Sequence, residues 1–396
     1  MTMRSPRESW IFTLTLLSAA AALVSIAASE ILLAVACLLW IVIRPRPVQI
    51  PAYTLPLVAF MLTTVLSFAM SPDRSVGGHQ LGKFVLFPMG LLAANCIRDS
   101  GRVKLTFRLL LVVAAVGSAT SIVQFVLKER RFLETQSVEY DPMVLDRVKG
   151  FMGHWMTFSG GQLLVWCAAL PLIVLIGRRW TIPLSLIGIA IVFSFTRGAW
   201  LGAVFGIAVA SFWIPRRRLV RLIVPIVVVG LLASPFIYHR VSMTVKGQSG
   251  GDVGRLKLLK VGLEMVRAHP LFGVGLERIP AEFPNYYKGN DLNTFYIGHM
   301  QNDFMQIAAE RGLICLAAFL WFLFVLYRSL WKFAKSGDET RRLTAVSAMC
   351  ALTGFLVMGL AEFNFGDSEP LILFLFIVSI PFGMSTVLNR PSPRVP

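Results

Sequence analysis

The chain has 396 residues, 56% of them hydrophobic and only 15% charged, with a mean hydropathy of +0.69 and a formal charge of +17. A soluble domain of this length alternates apolar and polar faces, but here the apolar runs continue for about 17–22 residues, enough for a helix to cross ~30 Å of hydrocarbon. That excludes a soluble globular fold, and the positions of the charges argue against nucleic acid as the partner of so basic a chain.

The pattern predicts an all-α polytopic membrane protein of about twelve spans, at roughly 10–28, 30–43, 52–71, 80–97, 105–127, 154–177, 181–196, 198–214, 219–238, 304–327, 343–363 and 370–388. "SIAASE" after the first run is similar to a signal-peptidase site, but a second span follows at once, so the run reads as a retained anchor. With both termini in the cytoplasm, the inward segments are 1–9, 44–47, 98–108, 178–179, 216–221, 328–342 and the tail. They hold 21 Lys and Arg against four Asp and Glu, while everything else holds 17 of each sign. The whole excess falls on one side, as the positive-inside rule requires. The chain thus divides into spans one to nine over 1–238, a large outward loop over 239–303, and spans ten to twelve with the tail over 304–396.

In chain order, Lys83 falls at the outer end of span four. The outward loop 128–153 carries "DRVKGFMGHW", with Arg147 and His154 at its close. Spans seven and eight read as a tight hairpin whose outer turn, within "FSFTRGAWLG", holds Arg197. An arginine at an interface can snorkel, but this one is locked between two helix ends beside a glycine, where a poorly hydrated cation calls for an anion. In the large loop, "GDVGRLKLLKVGLEMVRAHP" predicts an amphipathic helix with Asp252 as cap, an apolar stripe of Leu256, Leu259, Leu263 and Val266, and Pro270 beyond its end. "LFGVGLERIP" follows as a glycine-rich turn, and "HMQNDFMQIAAERGL" restarts a helix that merges with span ten near Gly312. Cys37, Cys96, Cys167, Cys315 and Cys350 all fall in or at the ends of spans, which argues against a disulfide framework or a metal cluster.

The hairpin "FSFTRGAWLG", the loop sequence "HPLFGVGLER" and the helix start "HMQNDFMQIAAERGL" resemble, in that order, motifs of the O-antigen ligase and polymerase family of bacterial envelopes. "GHWMTFSG" at 153–160 also resembles the ligase branch. The helix motif appears as His299, Asn302, Met305, Gln306, Glu310 and Gly312, with two residues between His299 and Asn302 where many members have none. The resemblance implies a GT-C-like glycosyltransferase of the bacterial inner membrane with a periplasmic site. Its donor would be O-antigen on undecaprenyl diphosphate and its acceptor a sugar hydroxyl of the lipid A-core, both held in the membrane by their lipid tails.

Diphosphate is a good leaving group once its charge is neutralised. Neither outward loop contains a D-x-D pair to hold a divalent metal, and guanidinium groups can grip phosphate oxygens in its place. Arg197 and Arg255 are the expected ligands, with Lys83 and Arg147 as further cations; a solvated helix face for Arg255 and interfacial anchoring for Lys83 and Arg147 are the competing readings. His299 shares a helical face with Asn302, Asp303 and Gln306 and suits a general base, with Asp303 or Glu277 to orient it and Asn302 and Gln306 expected to bind substrate; a plain capping role for His299 is the alternative. His154 can line the site or start span six, and His269 shapes the glycine turn. His79 and His239 read as ordinary loop histidines. No cofactor and no metal are expected, and with no outward cysteine or paired-carboxylate nucleophile the displacement would be single and inverting. The rivals are an O-antigen polymerase, a protein oligosaccharyltransferase and, in another class, a transporter.

Overall fold

The computed structural model describes residues 6–143, 145–215, 251–289 and 298–384, with isolated positions between 217 and 242. The expected span nine, His239 and the loop stretches next to 251 and at 290–297 lie outside the described residues. Within them the regular structure is entirely helical: α1 (Pro6–Ala21), α2 (Ile26–Ile43), α3 (Thr54–Ala69), α4 (Gly78–Gly82), α5 (Pro88–Cys96), α6 (Ser100–Thr135), α7 (Trp155–Ile176), α8 (Thr181–Phe193), α9 (Arg197–Trp213), α10 (Gly251–Ala268), α11 (Ile279–Tyr286), α12 (Asp303–Ala334), α13 (Glu339–Met358) and α14 (Ser368–Gly383). Helices α2, α6, α7, α12 and α13 are long and apolar enough to cross a membrane, and α3, α9 and α14 are shorter apolar helices.

Three expectations change. The fourth span is broken, with a 3-10 turn at Lys83–Leu86 between α4 and α5. Pro88 then opens α5 at a first-turn position, where its missing N–H costs nothing. The fifth span is longer than its apolar run: Asp99 caps it by accepting from Arg102 N at 2.9 Å, and helix continues to Thr135, into the stretch read as loop. In α10 the buried face is Leu258, Val261 and Met265, while Leu256, Leu259 and Leu263 lie at the surface. The reason is a small separate core, supplied by Val274, Ile279, Phe283 and Met300, that packs on the other side of the helix.

Connectivity sorts the helix ends. Helices α7, α9, α12 and α14 begin at one end of the bundle, where α6, α8 and α13 finish. The basic connections lie at the opposite end, where Arg98 donates to Pro47 O at 3.0 Å and Arg108 to Ile176 O at 3.3 Å. Although α8 and α9 are joined by a three-residue turn and both touch α7, α8 packs chiefly on α6 whereas α9 packs chiefly on α13. The α9 contact depends on small residues. Gly198, Gly202 and Gly206 recur every fourth position, and a Cβ on Gly202 would lie 2.4 Å from Gly354 O of α13. In lipid, where burying apolar surface gives no drive, such backbone-to-backbone packing is what draws helices together. It brings the first residue of α9 level with the last turn of α13.

Candidate active site at the α9, α12 and α13 ends

The site grows from two local arrangements. The first is the hairpin turn. Phe195 takes a left-handed conformation (φ 49°), and its ring is fully buried against Phe125, Phe193 and Trp200. Trp200 Nε1 donates back to Ile191 O at 3.0 Å, which closes the turn. Arg197 follows as the first residue of α9, half-buried.

The second is a break in α12. Gly312 has φ 84° and ψ 171°, so the carbonyls and N–H groups around it lose their helical partners. The glycine-rich turn supplies them: Val274 N donates to Ala309 O at 2.9 Å, Gly275 N to Glu310 O at 3.1 Å, and Leu313 N to Pro270 O at 2.7 Å. The Glu310 side chain, fully buried, accepts from Glu277 N at 2.5 Å. The two loop motifs therefore form one interlocked unit that fixes α10 and His299 over the head of α12.

Arg255 of α10 donates through Nη2 to Glu362 Oε1 at 2.7 Å and through Nε to Gln301 Oε1 at 3.1 Å. Glu362 lies in the α13–α14 connection, only 2% exposed. Burial pushes its carboxyl up to about 7, while Arg255, then Arg147 and Arg197, work to lower it and Asp367 adds repulsion. One expected cation, Arg255, thus pairs with this carboxylate, and the charges of Arg147 and Arg197 also act on it. Arg147 also lies over the Trp155 ring, 4.7 Å from its centre.

His299 stands at the same place. Its ring is 5.7 Å from that of Phe363, and its Nδ1 accepts from Gln301 N at 3.1 Å. Burial holds its pKa below the ordinary histidine value; Asp367 opposes this, and His154 and Arg255 reinforce it. His154 caps α7 by accepting from Met156 N at 3.3 Å and is likewise lowered, first by burial and then by Arg147 and Lys149 against the pull of Asp367. Asp367 accepts from Thr157 Oγ1 at 2.6 Å.

Of the residues singled out from sequence, Arg197, Arg255, Arg147, His154 and His299 meet in this cluster. Lys83 borders it, donating through Nζ to Gly366 O. Asn302 and Gln306 are engaged by backbone: Asn302 accepts from Met305 N and donates to Leu360 O, both at 2.8 Å, and Gln306 accepts from Met300 N at 2.7 Å. Neither suggested partner orients His299. Glu277 pairs with His79 at 3.2 Å, and Asp303 accepts from Phe365 N at 3.0 Å, tying the α13–α14 connection to α12. His269 contacts Tyr286, Nε2 to hydroxyl, at 3.0 Å. Sequence reasoning missed Glu362 and Asp367 as site residues, although "EFNFGDSE" places several acids in a short link between two apolar runs. Beside this link runs a narrow cleft lined by Phe60, Phe84, Phe322 and Phe363, with Lys83 and Arg311 among its walls. Among the described residues, no three His, Cys, Asp or Glu side chains are grouped to hold a metal ion.

Comparison with curated proteins finds no match to this chain. A family model does match: Wzy_C, described as O-antigen ligase, aligns with residues 182–320, from α8 to the middle of α12, and so includes Arg197, Arg255, His299, Asn302 and Gln306. Over those residues the chain is similar to the O-antigen ligase family.

Proposed function

We propose that the protein is an O-antigen ligase, transferring polysaccharide from undecaprenyl diphosphate to a sugar hydroxyl of the lipid A-core at the periplasmic face of the bacterial inner membrane. The observation that carries this reading is the ion pair of Arg255 with the buried carboxylate of Glu362 at the ends of membrane helices, with the charges of Arg147 and Arg197 near enough to act on it. On the expected twelve-span topology, with both termini in the cytoplasm, that cluster would lie at the outer leaflet, where both lipid-anchored substrates reside.

Arg197 and Arg255 grip the donor diphosphate, and their fixed forks neutralise the charge that grows on the leaving oxygen. Arg147 and Lys83 add positive potential on either side. The phenylalanine cleft offers an apolar lining to the polyprenyl chain. His299 serves the acceptor hydroxyl as base, and its depressed pKa keeps it neutral as that role requires. At rest its Nδ1 accepts Gln301 N–H, so accepting a proton at Nε2 calls for the tautomer with the proton on Nδ1, and Gln301 gives up that bond. Gln301 also holds Arg255, so filling the diphosphate site and freeing the histidine involve one residue. The hydroxyl attacks the anomeric carbon as the diphosphate leaves from the opposite face, inverting configuration without a metal or a covalent intermediate.

A polymerase or a protein oligosaccharyltransferase of the same family would share the donor site and differ in acceptor. The deciding experiment is transfer by the purified, reconstituted protein from a synthetic undecaprenyl-diphosphate glycan to core lipid. Product on core lipid supports the ligase. Extension of the donor glycan, or transfer to protein alone, replaces it.

A further inference from the structure

Glu362 occupies the guanidinium that the proposed donor needs. Its Oε1 accepts from Arg255 Nη2 at 2.7 Å, while Oε2 is buried with no hydrogen-bond partner. Charged groups face it from several elements: Arg255 from α10, Arg147 from the segment before α7, Arg197 from α9, and Asp367 from its own connection, with Asp303 at the head of α12 also within its field. A carboxylate so buried is stable when paired with a cation or when protonated, and it is costly when ionised and unpaired.

We propose that Glu362 is a placeholder for a donor phosphate, holding Arg255 in the resting site and taking up one proton from solvent when the diphosphate displaces it. The contact from Arg255 Nη2 to Oε1 is replaced by one from Nη2 to a phosphate oxygen, an O–H bond forms on the carboxyl, and no bond of the donor changes. This inference rests on the reading of the cluster as a diphosphate site. Burial already brings the carboxyl up to about 7, and two negative charges placed alongside raise it further. Above neutral pH the empty site is therefore ionised at Glu362 and the filled site is not, so binding draws in a proton.

Isothermal titration tests this with the wild-type protein in nanodiscs and farnesyl-diphospho-N-acetylglucosamine, a diphosphate diester whose charge is constant from pH 6 to 9. Titrations in two buffers of different ionisation enthalpy should give uptake near one proton per bound donor at pH 8.5, and Kd should weaken about tenfold per pH unit above pH 7.5. E362Q should bind more tightly at pH 8.5, with neither uptake nor slope. Any proton taken up by His154 or His299 as the negative charges arrive would persist in E362Q, which separates it from the signal of Glu362. Binding without proton uptake at pH 8.5, or a wild-type slope in E362Q, overturns the placeholder and leaves the diphosphate site standing. No binding at any pH removes both. The wild-type uptake needs no variant, so the test survives a failure of E362Q to fold.

Discussion

Gly312→Ala tests whether the break in α12 holds the two loop motifs together. At φ 84° and ψ 171° the backbone lies where essentially only glycine goes, which costs another residue about 1–3 kcal/mol. The added Cβ would also lie 2.1 Å from Leu271 O and 2.3 Å from Leu271 C, and both are backbone atoms with no rotamer to turn away. Relieving that overlap costs about 1–3 kcal/mol if the chain bends. If the turn lifts off instead, the bonds from Val274 N, Gly275 N and Leu313 N are lost at roughly 0.5–1.5 kcal/mol each. The first route comes to about 2–6 kcal/mol and the second to about 2.5–7.5 kcal/mol, concentrated at the 270–277 turn. Limited proteolysis in detergent should show cleavage within 269–277 that the wild type resists, with transfer falling because α10 and His299 lose their seat. Gly337→Ala is the control: nothing lies within 4 Å of its Cβ, and a change under about 0.5 kcal/mol is expected. A Gly312→Ala protein with wild-type protease resistance and turnover would refute the interlock.

Arg197→Ala and Arg255→Ala should each lower transfer about 100-fold or more while the protein still elutes as a folded species, because each removes a fixed donor to developing charge. Lysine at either position should not restore it, since a point charge cannot grip two oxygens; full turnover in both alanine variants would remove the diphosphate assignment. His299→Ala should cost about 10²–10⁴-fold in turnover at saturating donor. In the wild type, with donor kept saturating at every pH, turnover should hold through neutral pH and fall only below the ordinary histidine range, as the depressed pKa of His299 requires, and an alanine variant keeping that acid limb would point to another base. EDTA should leave transfer unchanged; a loss reversed by Mg²⁺ would contradict the metal-free displacement.

Apolar run length and the one-sided arginines made the membrane fold and its helix ends legible, as with α7, expected at 154–177 and found at Trp155–Ile176. Run length failed where helix persists beyond hydrophobicity, as in α6, and where a run hides a break, as at Lys83–Leu86. The cations of the candidate site stood out because a charge at a helix end beside a glycine is unusual in an apolar chain. The acids were not. Glu362 and Asp367 draw their meaning from residues more than a hundred positions away, a proximity set by packing that no local spacing encodes. Asn302 illustrates the converse: its motif position invited a substrate role, yet its amide is occupied by Met305 N and Leu360 O.

The glycine row on α9 fixes a register as well as a distance. Because the α9 and α13 backbones touch at Gly202 and Gly354, no flexible side chain lies between them to absorb a slip. A helix climbs about 1.5 Å and turns about 100° with each residue. One residue inserted between Gly198 and Gly206 would therefore swing Arg197 a quarter-turn off its bearing, whichever amino acid was added. Along this stretch of α9, length is as much a part of the proposed site as chemistry.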